Sequence, residues 1–170
     1  LITGLNWRLI ADPLQTTWPV SKVRIENFDV YLSTAATTPS TMSTWFDANE
    51  GADRILARGG SLVIPAGAFP GGATIPRVNE WGFDLGLNTA FSCQGGGLCI
   101  TIRQTGHTGT GPDSIDRFLE SARADMPGWG TRFAAMSGPG YAASQGTWRY
   151  IAITNVQYAP PCLGDFNLDG

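Results

Sequence analysis

The chain has 170 residues and a net charge of −3, and 42% of its residues are hydrophobic whereas only 15% are charged. This composition predicts one folded domain with a buried core and argues against disorder, which is typical of charged chains with few apolar residues. The 11 basic residues form no run and no apolar stretch approaches the length of a membrane span. We therefore expect neither nucleic-acid binding nor a transmembrane helix.

Apolar residues alternate with polar or small ones along much of the chain, which is typical of half-buried β-strands. The alternation predicts strands within residues 1–10, 23–32, 55–64, 81–87, 98–102 and 148–158. Val23 and Ile25 are out of phase with Phe28, Val30 and Leu32, so a β-bulge near residues 26–27 is expected to turn both sets to the core. Short strands separated by Gly- and Pro-rich turns favour an all-β fold, an antiparallel, jelly-roll-like β-sandwich.

One segment departs from this alternation. In residues 113–124, Ile115, Phe118, Leu119 and Ala122 recur at helical spacing. The spacing predicts one short helix across an end of the sandwich, capped by Asp113 or the following serine. The predicted β-sandwich domain covers residues 1–159, and residues 160–170 form a linker and the start of another motif.

That second motif is half of a calcium-binding loop. Asp165, Asn167 and Asp169 occupy alternate positions and are followed by Gly170, as in the first six positions of an EF-hand loop. Oxygen ligands at this spacing surround a calcium ion, and the glycine makes the sharp turn. The carboxylate expected at position twelve lies beyond the sequence, so the alternative is an Asx-rich turn that binds no cation.

A second candidate cation loop lies within residues 47–53. Asp47, Asn49 and Asp53 place oxygen-bearing side chains close together in sequence, with Glu50 between them. The sequence favours the alternative interpretation, a polar hairpin loop whose Asx side chains bond their own backbone.

The sequence has three cysteines, so at most two of them can pair with each other and one has no obvious partner. Cys93 and Cys99 flank a glycine-rich turn, so we expect a disulfide between them, with two free thiols as the alternative. Cys162 then pairs with a segment outside the sequence or with another subunit, or stays a free thiol.

Aromatic residues in turn-like contexts are candidates for a ligand or partner surface. These are Trp18, Trp45 and Trp129, whereas Trp81 and Trp148 belong to alternating series and are expected in the core. The sequence has a single histidine and no Gly-x-Ser-x-Gly motif, so no catalytic role is expected.

The last residues resemble a dockerin-type repeat, because the calcium motif follows Pro160-Pro161-Cys162. The preceding domain resembles a family of uncharacterised secreted β-sandwich proteins from planctomycetes and related environmental bacteria. The matching motifs are the opening Leu-Ile-Thr-Gly-Leu and the segments at residues 29–34, 46–53 and 83–102. The resemblance implies secretion, a β-sandwich and further sequence beyond both ends, and it brings no catalytic residues.

Low charge, many Gly, Ser and Thr residues and apolar segments at the chain ends favour an extracellular structural role. We expect a self-assembling subunit of a filament, matrix or surface layer at the cell surface, stabilised by calcium. A terminal strand such as Leu1-Ile2-Thr3-Gly4-Leu5 is expected to add to the sheet edge of another copy. The alternative is a carbohydrate-binding module of an adhesin or polysaccharide-degrading system, with glycans as partners.

Overall fold

Antiparallel β-strands provide nearly all of the regular structure. The computed structural model describes residues 1–114, 119–122, 125–148 and 150–159. Within these residues, the strands in chain order are β1 (Ile2–Asn6), β2 (Val23–Ile25), β3 (Phe28–Thr34), β4 (Ile55–Arg58), β5 (Leu62–Ile64), β6 (Leu85–Phe91), β7 (Leu98–Gln104), β8 (Ser121–Ala122), β9 (Met136–Ser137), β10 (Thr147–Trp148), β11 (Ile151–Ala152) and β12 (Asn155–Tyr158). The predicted all-β class is confirmed, and the sandwich arrangement stays a prediction.

The first three-stranded sheet has the order β12-β1-β6, so the N-terminal strand is central. Both neighbours run antiparallel to β1, and Ile2 is paired with Phe91 on one side and Tyr158 on the other. Beyond this pairing, the N–H of Ala159 donates to the carbonyl of Leu1 at 3.0 Å. The start of the chain and residue 159 therefore lie side by side at one end of the sheet.

The second three-stranded sheet has the order β4-β3-β7, and β2 pairs separately with β5. Val23 and Ile25 are buried, and so are Val30 and Leu32, which confirms that both sets face the core. The predicted bulge between them is wrong, because β2 and β3 are separate strands that belong to different sheets. The change of sheet, rather than an extra residue within one strand, accounts for the change of phase.

The predicted helix over residues 113–124 is wrong in the part that the structure describes. Residues Gly111–Ser114 form a 3-10 helix, but Leu119 bridges Leu9 and the pair Ser121–Ala122 forms β8 beside β11. The N–H of Glu120 donates to the carbonyl of Arg8 at 2.9 Å. The backbone of this segment is thus hydrogen-bonded to distant parts of the chain, and not within itself as in the predicted helix. Residues 115–118 and 123–124 lie outside the described part.

The predicted strand over residues 148–158 is divided among β10, β11 and β12. The break near Thr154 places its hydroxyl where it accepts a hydrogen bond from the indole N–H of Trp7 at 2.8 Å and donates to Ala152. Among the described residues, no helix has the length and apolar content needed to cross a membrane.

One apolar core joins the three larger groups of strands. Its buried residues come from β1 and β6, from β3 and β4, and from β2 and β5: Leu5, Leu85, Val30, Leu32, Ala57, Val23, Ile25, Leu62 and Ile64.

Candidate functional site

An apolar groove of about 760 Å³ lies at the beginning of β1, beside the end of β12. Its walls include Leu1, Ile2, Leu98, Val156 and Tyr158. Leu1 is 52% exposed and Tyr158 is 73% exposed. We call this the terminal groove. A concave surface lined by apolar side chains is a favourable place for another apolar group to leave water.

A second apolar surface is formed by two neighbouring loops, residues 12–17 and 69–79. Leu14 is 79% exposed, Ile75 is 84% exposed and Val78 is 52% exposed. We call these three side chains the loop patch. Single exposed apolar residues are ordinary, but three on two adjacent loops are a candidate contact surface.

The loops that carry this patch are held by hydrogen bonds to the protein backbone. Asn79 is buried, and its amide Nδ2 donates to the carbonyls of Leu9 at 3.1 Å and Ile10 at 3.0 Å. Its Oδ1 accepts from the N–H of Ala73 at 2.9 Å. The N–H of Gly72 donates to the carbonyl of Gln15 at 2.7 Å. The apolar side chains are therefore exposed on a fixed backbone.

The terminal groove and the loop patch lie toward opposite ends of β1. Ile2 lines the groove at the first position of the strand. Asn79 ties the loop patch to Leu9 and Ile10, which follow the strand's last residue, Asn6. The molecule therefore has an apolar groove toward one end of β1 and exposed apolar side chains toward the other.

The predicted cation loop at residues 47–53 is held by contacts within the protein. Asp47 is exposed, with Oδ1 at 3.6 Å from Nη2 of Arg103. Asp53 accepts hydrogen bonds from the N–H and the hydroxyl of Thr34, at 2.9 Å and 2.6 Å. The side-chain hydrogen bond from Thr34 is the main reason that the pKa of Asp53 lies below its ordinary value. The structure thus gives these two carboxylates different partners.

Asn49, the third residue of this set, is buried at 4% exposure. Its Oδ1 accepts from the hydroxyl of Thr37 at 2.9 Å and from the N–H of Ser43 at 2.8 Å. Its Nδ2 donates to the carbonyls of Ser43 and Trp45, both at 2.9 Å. The oxygen that would bind a cation is therefore engaged by the loop itself. No group of three or more His, Cys, Asp or Glu side chains suited to a metal occurs among the described residues.

Replacing Asn49 by alanine is expected to lower the free energy of unfolding by about 2 kcal/mol, because buried groups of the loop lose their partners. Asp47→Ala, in the same loop, is the matched control and is expected to cost less than about 0.5 kcal/mol because Asp47 is exposed. Urea denaturation of both variants measures the difference. Equal losses would contradict a structural role for Asn49.

A polar layer beneath this loop was not predicted from the sequence. Asp29 is buried on β3 and accepts a hydrogen bond from the hydroxyl of Tyr141, which raises the pKa of Tyr141. The carboxylate of Glu50 lies 2.7 Å from Nε of Arg54, whose guanidinium lies 3.8 Å from the ring centroid of Tyr31. Asp29 and Tyr31 alternate with core residues on β3. This alternation places both side chains on the outer face of the sheet, and it was the sequence feature that could have predicted the polar layer. These polar contacts hold loops against the outer face of the sheet.

The three tryptophans predicted for a ligand or partner surface occupy different environments. Trp18 is buried at 8% exposure and packs against Phe69 and His107, so its assignment to an exposed surface is wrong. Trp129 is partly buried and contacts Phe133 edge to face. Trp45 is 53% exposed. Of the three, Trp45 is the most accessible to a partner.

Trp81, which was expected in the core, is 36% exposed and lies beneath the guanidinium of Arg8, 4.6 Å from its ring centroid. Regular pairing in β6 begins only at Leu85, so the alternation that predicted a buried Trp81 extends beyond the strand itself. Trp148 lies in β10.

The predicted disulfide between Cys93 and Cys99 is absent, and both thiols are free. Cys93 is exposed beyond the end of β6, whereas Cys99 is half-buried in β7, opposite Ser33 of the neighbouring strand β3. Burial is the main reason that the pKa of Cys99 is raised. The turn between them connects two sheets, which explains why short sequence separation does not bring the sulfur atoms together.

Two other ionisable side chains, those of Asp113 and His107, accept hydrogen bonds from backbone N–H groups. Asp113 is buried, and its carboxylate accepts hydrogen bonds from the N–H groups of Val20 and Ser21. Nδ1 of His107 accepts from the N–H of Gly109 at 3.0 Å. Asp165, Asn167, Asp169 and Cys162 lie outside the described residues.

Comparison with known proteins gives no match: no family model, curated protein or solved structure is significantly similar to this chain.

Proposed function

We propose that the chain is a subunit of an extracellular structural assembly, a filament, matrix or surface layer, in which copies associate head to tail. The loop patch of one copy, led by Ile75 at 84% exposure, enters the terminal groove of the next. The observation that supports this most is the pair of apolar surfaces toward opposite ends of β1, one a groove and the other a set of exposed loop side chains. Two different surfaces on each subunit make a heterologous contact, which repeats into an open fibre when the rotation does not close.

Contact through the loop patch replaces the strand addition expected from the sequence. β1 is already paired with β6 and β12 on its two edges. Adding β1 to a neighbouring sheet would first break these hydrogen bonds and expose Leu5, which is fully buried. The exposed side chains of the loop patch need no such rearrangement, so they reach a neighbour at a lower cost in free energy.

The extracellular location and calcium binding in this proposal are supported by composition and by the tail motif. Low charge and abundant glycine are compatible with a secreted structural protein. Asp165, Asn167 and Asp169 would supply the first oxygen ligands to calcium, and a bound ion would stabilise the folded form by mass action. The proposal includes no catalytic step.

Sedimentation velocity over a range of protein concentrations, with calcium or with a chelator, tests the association. We expect the parent protein to form a concentration-dependent series of oligomers and Leu14→Asp to remain monomeric, because the aspartate would have to lose water to enter an apolar groove. Val63→Asp is the matched control, since Val63 is exposed at 46% on β5, outside both surfaces. Parent protein that stays monomeric at every concentration, or equal loss in both variants, would exclude the loop-to-groove contact.

Glycan binding is a second candidate function, favoured by the exposed indole of Trp45. Asp47 is close to it in sequence and pairs with Arg103, so an apolar ring lies near charged hydrogen-bonding groups. Trp45→Ala is expected to abolish glycan-array binding, whereas Trp129→Ala, at a partly buried ring, leaves it intact. Absence of binding by the parent protein to every glycan would exclude this function.

A further inference from the structure

One polar side chain crosses the N-terminal strand. Gln157 of β12 is paired with Gly4 of β1, which is paired on its other side with Gly86 of β6. The amide Nε2 of Gln157 donates a hydrogen bond to Oδ1 of Asp84, the residue directly before β6. Because β1 lies between β12 and β6, about 5 Å from each of them, the Gln157 side chain passes over β1 to reach Asp84.

Gly4 provides the space for this crossing. A Cβ atom on Gly4 would lie 2.2 Å from Oε1 of Gln157 and 3.2 Å from the carbonyl oxygen of Leu85. The first of these distances is too short for two non-bonded atoms. The neighbouring Gly86 differs, because a Cβ there meets no atom within 4 Å. A methyl group would therefore displace Gln157 from above Gly4 but would disturb nothing at Gly86.

Asp84 connects all three strands of this sheet. The same Oδ1 accepts a hydrogen bond from Nδ2 of Asn6, at the end of β1, at 2.7 Å. Asn6 is 4% exposed, and its own Oδ1 has no hydrogen-bond partner within the part of the chain that the structure describes. Hydrogen bonds to a carboxylate are stronger than those between neutral groups. We call the side chains of Asn6, Asp84 and Gln157 the polar clamp.

The polar clamp acts on the strand that forms one wall of the terminal groove. Gln157 lies between Val156 and Tyr158, and both of these residues line the groove. The strand β12 has four residues and lies at the edge of its sheet, where β1 is its neighbour among the described strands. A short edge strand opens locally at a lower cost in free energy than a central strand. A side chain that ties β12 to the far side of β1 therefore limits this opening.

We propose that the polar clamp positions β12 for head-to-tail association by holding Val156 and Tyr158 in the wall of the terminal groove. This inference rests on the proposed function. Gln157 does not itself line the groove, so it is a positioning residue that acts through β12. Without the clamp, a neighbouring copy would have to order this wall as it binds, and the cost of ordering would lower the affinity.

Hydrogen exchange of the β12 amides tests the polar clamp in the absence of association, with every variant made in the Leu14→Asp protein. We expect Gln157→Ala and Gly4→Ala to raise the exchange rates of residues 155–158 about tenfold, because each loses a hydrogen bond to a charged group. Gly86→Ala is the matched control and should exchange at the rates of the Leu14→Asp protein.

Two further variants separate positioning from overall stability. Val23→Ala removes a buried side chain from β2 and lowers the global stability, yet it should leave the β12 rates unchanged. Asp84→Asn keeps an oxygen acceptor for both amides, so its rates should lie between those of the parent and of Gln157→Ala. Sedimentation velocity without Leu14→Asp should then show association weakened about tenfold by Gln157→Ala and unchanged by Val23→Ala.

Each possible failure has a separate meaning. Equal β12 exchange in Gln157→Ala and Gly86→Ala would overturn the clamp, and so would equal acceleration by Val23→Ala, since β12 would then open only with the whole domain. Faster exchange with unchanged association would overturn the positioning role and leave the proposed function standing. A parent protein that stays monomeric would exclude the proposed function and the positioning role together, while the exchange rates would still show whether the clamp holds β12.

Discussion

Leu5→Ala is expected to lower the free energy of unfolding by about 3 kcal/mol, through lost burial and the cavity left behind. Leu5 has no exposed surface, and it lies on β1 between Leu85 of β6 and Val156 of β12. Its side chain belongs to the core cluster that also contains Val30 and Leu32 of the other sheet. The loss would therefore weaken the packing of both three-stranded sheets.

Thr3→Ala is the matched control for Leu5→Ala, because Thr3 is exposed on the same strand. Its hydroxyl makes only a long hydrogen bond of 3.5 Å to the carbonyl of Gln157. We expect less than about 0.5 kcal/mol for this change. Denaturant unfolding followed by tryptophan fluorescence measures both variants. Similar losses for the two would contradict a central, buried β1.

Gly71→Ala is expected to destabilise the protein by about 3 kcal/mol, at the upper end of the usual cost of overpacking. A Cβ at this position would lie 2.1 Å from the carbonyl oxygen of Gln15 and 2.6 Å from the carbonyl carbon of Thr16. Both are backbone atoms, so relief requires the two loops to separate. Because these loops carry the loop patch, self-association should weaken as well.

Gly86→Ala, on β6, is the control for Gly71→Ala, since an added Cβ there meets no atom within 4 Å. We expect its melting temperature to stay close to that of the parent protein. Thermal unfolding of the two variants side by side measures the difference. A Gly71→Ala protein as stable as Gly86→Ala would show that the loops do not approach each other this closely.

The predictable part of the fold is the part in which side-chain alternation coincides with strand pairing. On β3, Val30 and Leu32 are fully buried whereas Asp29 and Tyr31 face the opposite way, as a period of two requires. Within the predicted strand region 55–64, Gly59-Gly60 separates β4 from β5. Local pattern and long-range packing agree at these positions.

The wrong predictions arise where distant contacts decide the structure. Leu119 and Ala122 have helical spacing, yet their segment finds hydrogen-bond partners in Arg8 and Ile153. Trp18 sits beside a proline, which is typical of an exposed turn, but Phe69 from a distant loop covers it. The separation of Cys93 from Cys99 depends on a change of sheet that residue spacing does not encode.

The candidate site was predictable only in part. The sequence predicts that the apolar N-terminal segment takes part in association, but the central place of this segment in the sheet depends on pairing with β12, far along the chain. Leu14, Ile75 and Val78 lie in irregular loops, where no periodicity distinguishes exposed from buried residues. The hydrogen bonds that hold these loops, such as those of Asn79, are not evident from the sequence.

The central claim, head-to-tail association through two different surfaces, is tested most directly by mixing two blocked variants. Leu14→Asp alters the loop patch and leaves the terminal groove intact, whereas Tyr158→Asp alters the groove at a residue that is 73% exposed and leaves the loop patch intact. Sedimentation velocity of each variant alone should show monomers. Their mixture should show a one-to-one dimer and nothing larger, because the only intact groove and the only intact patch then belong to different chains. Failure of the mixture to dimerise, or polymerisation by either variant alone, would contradict the proposal.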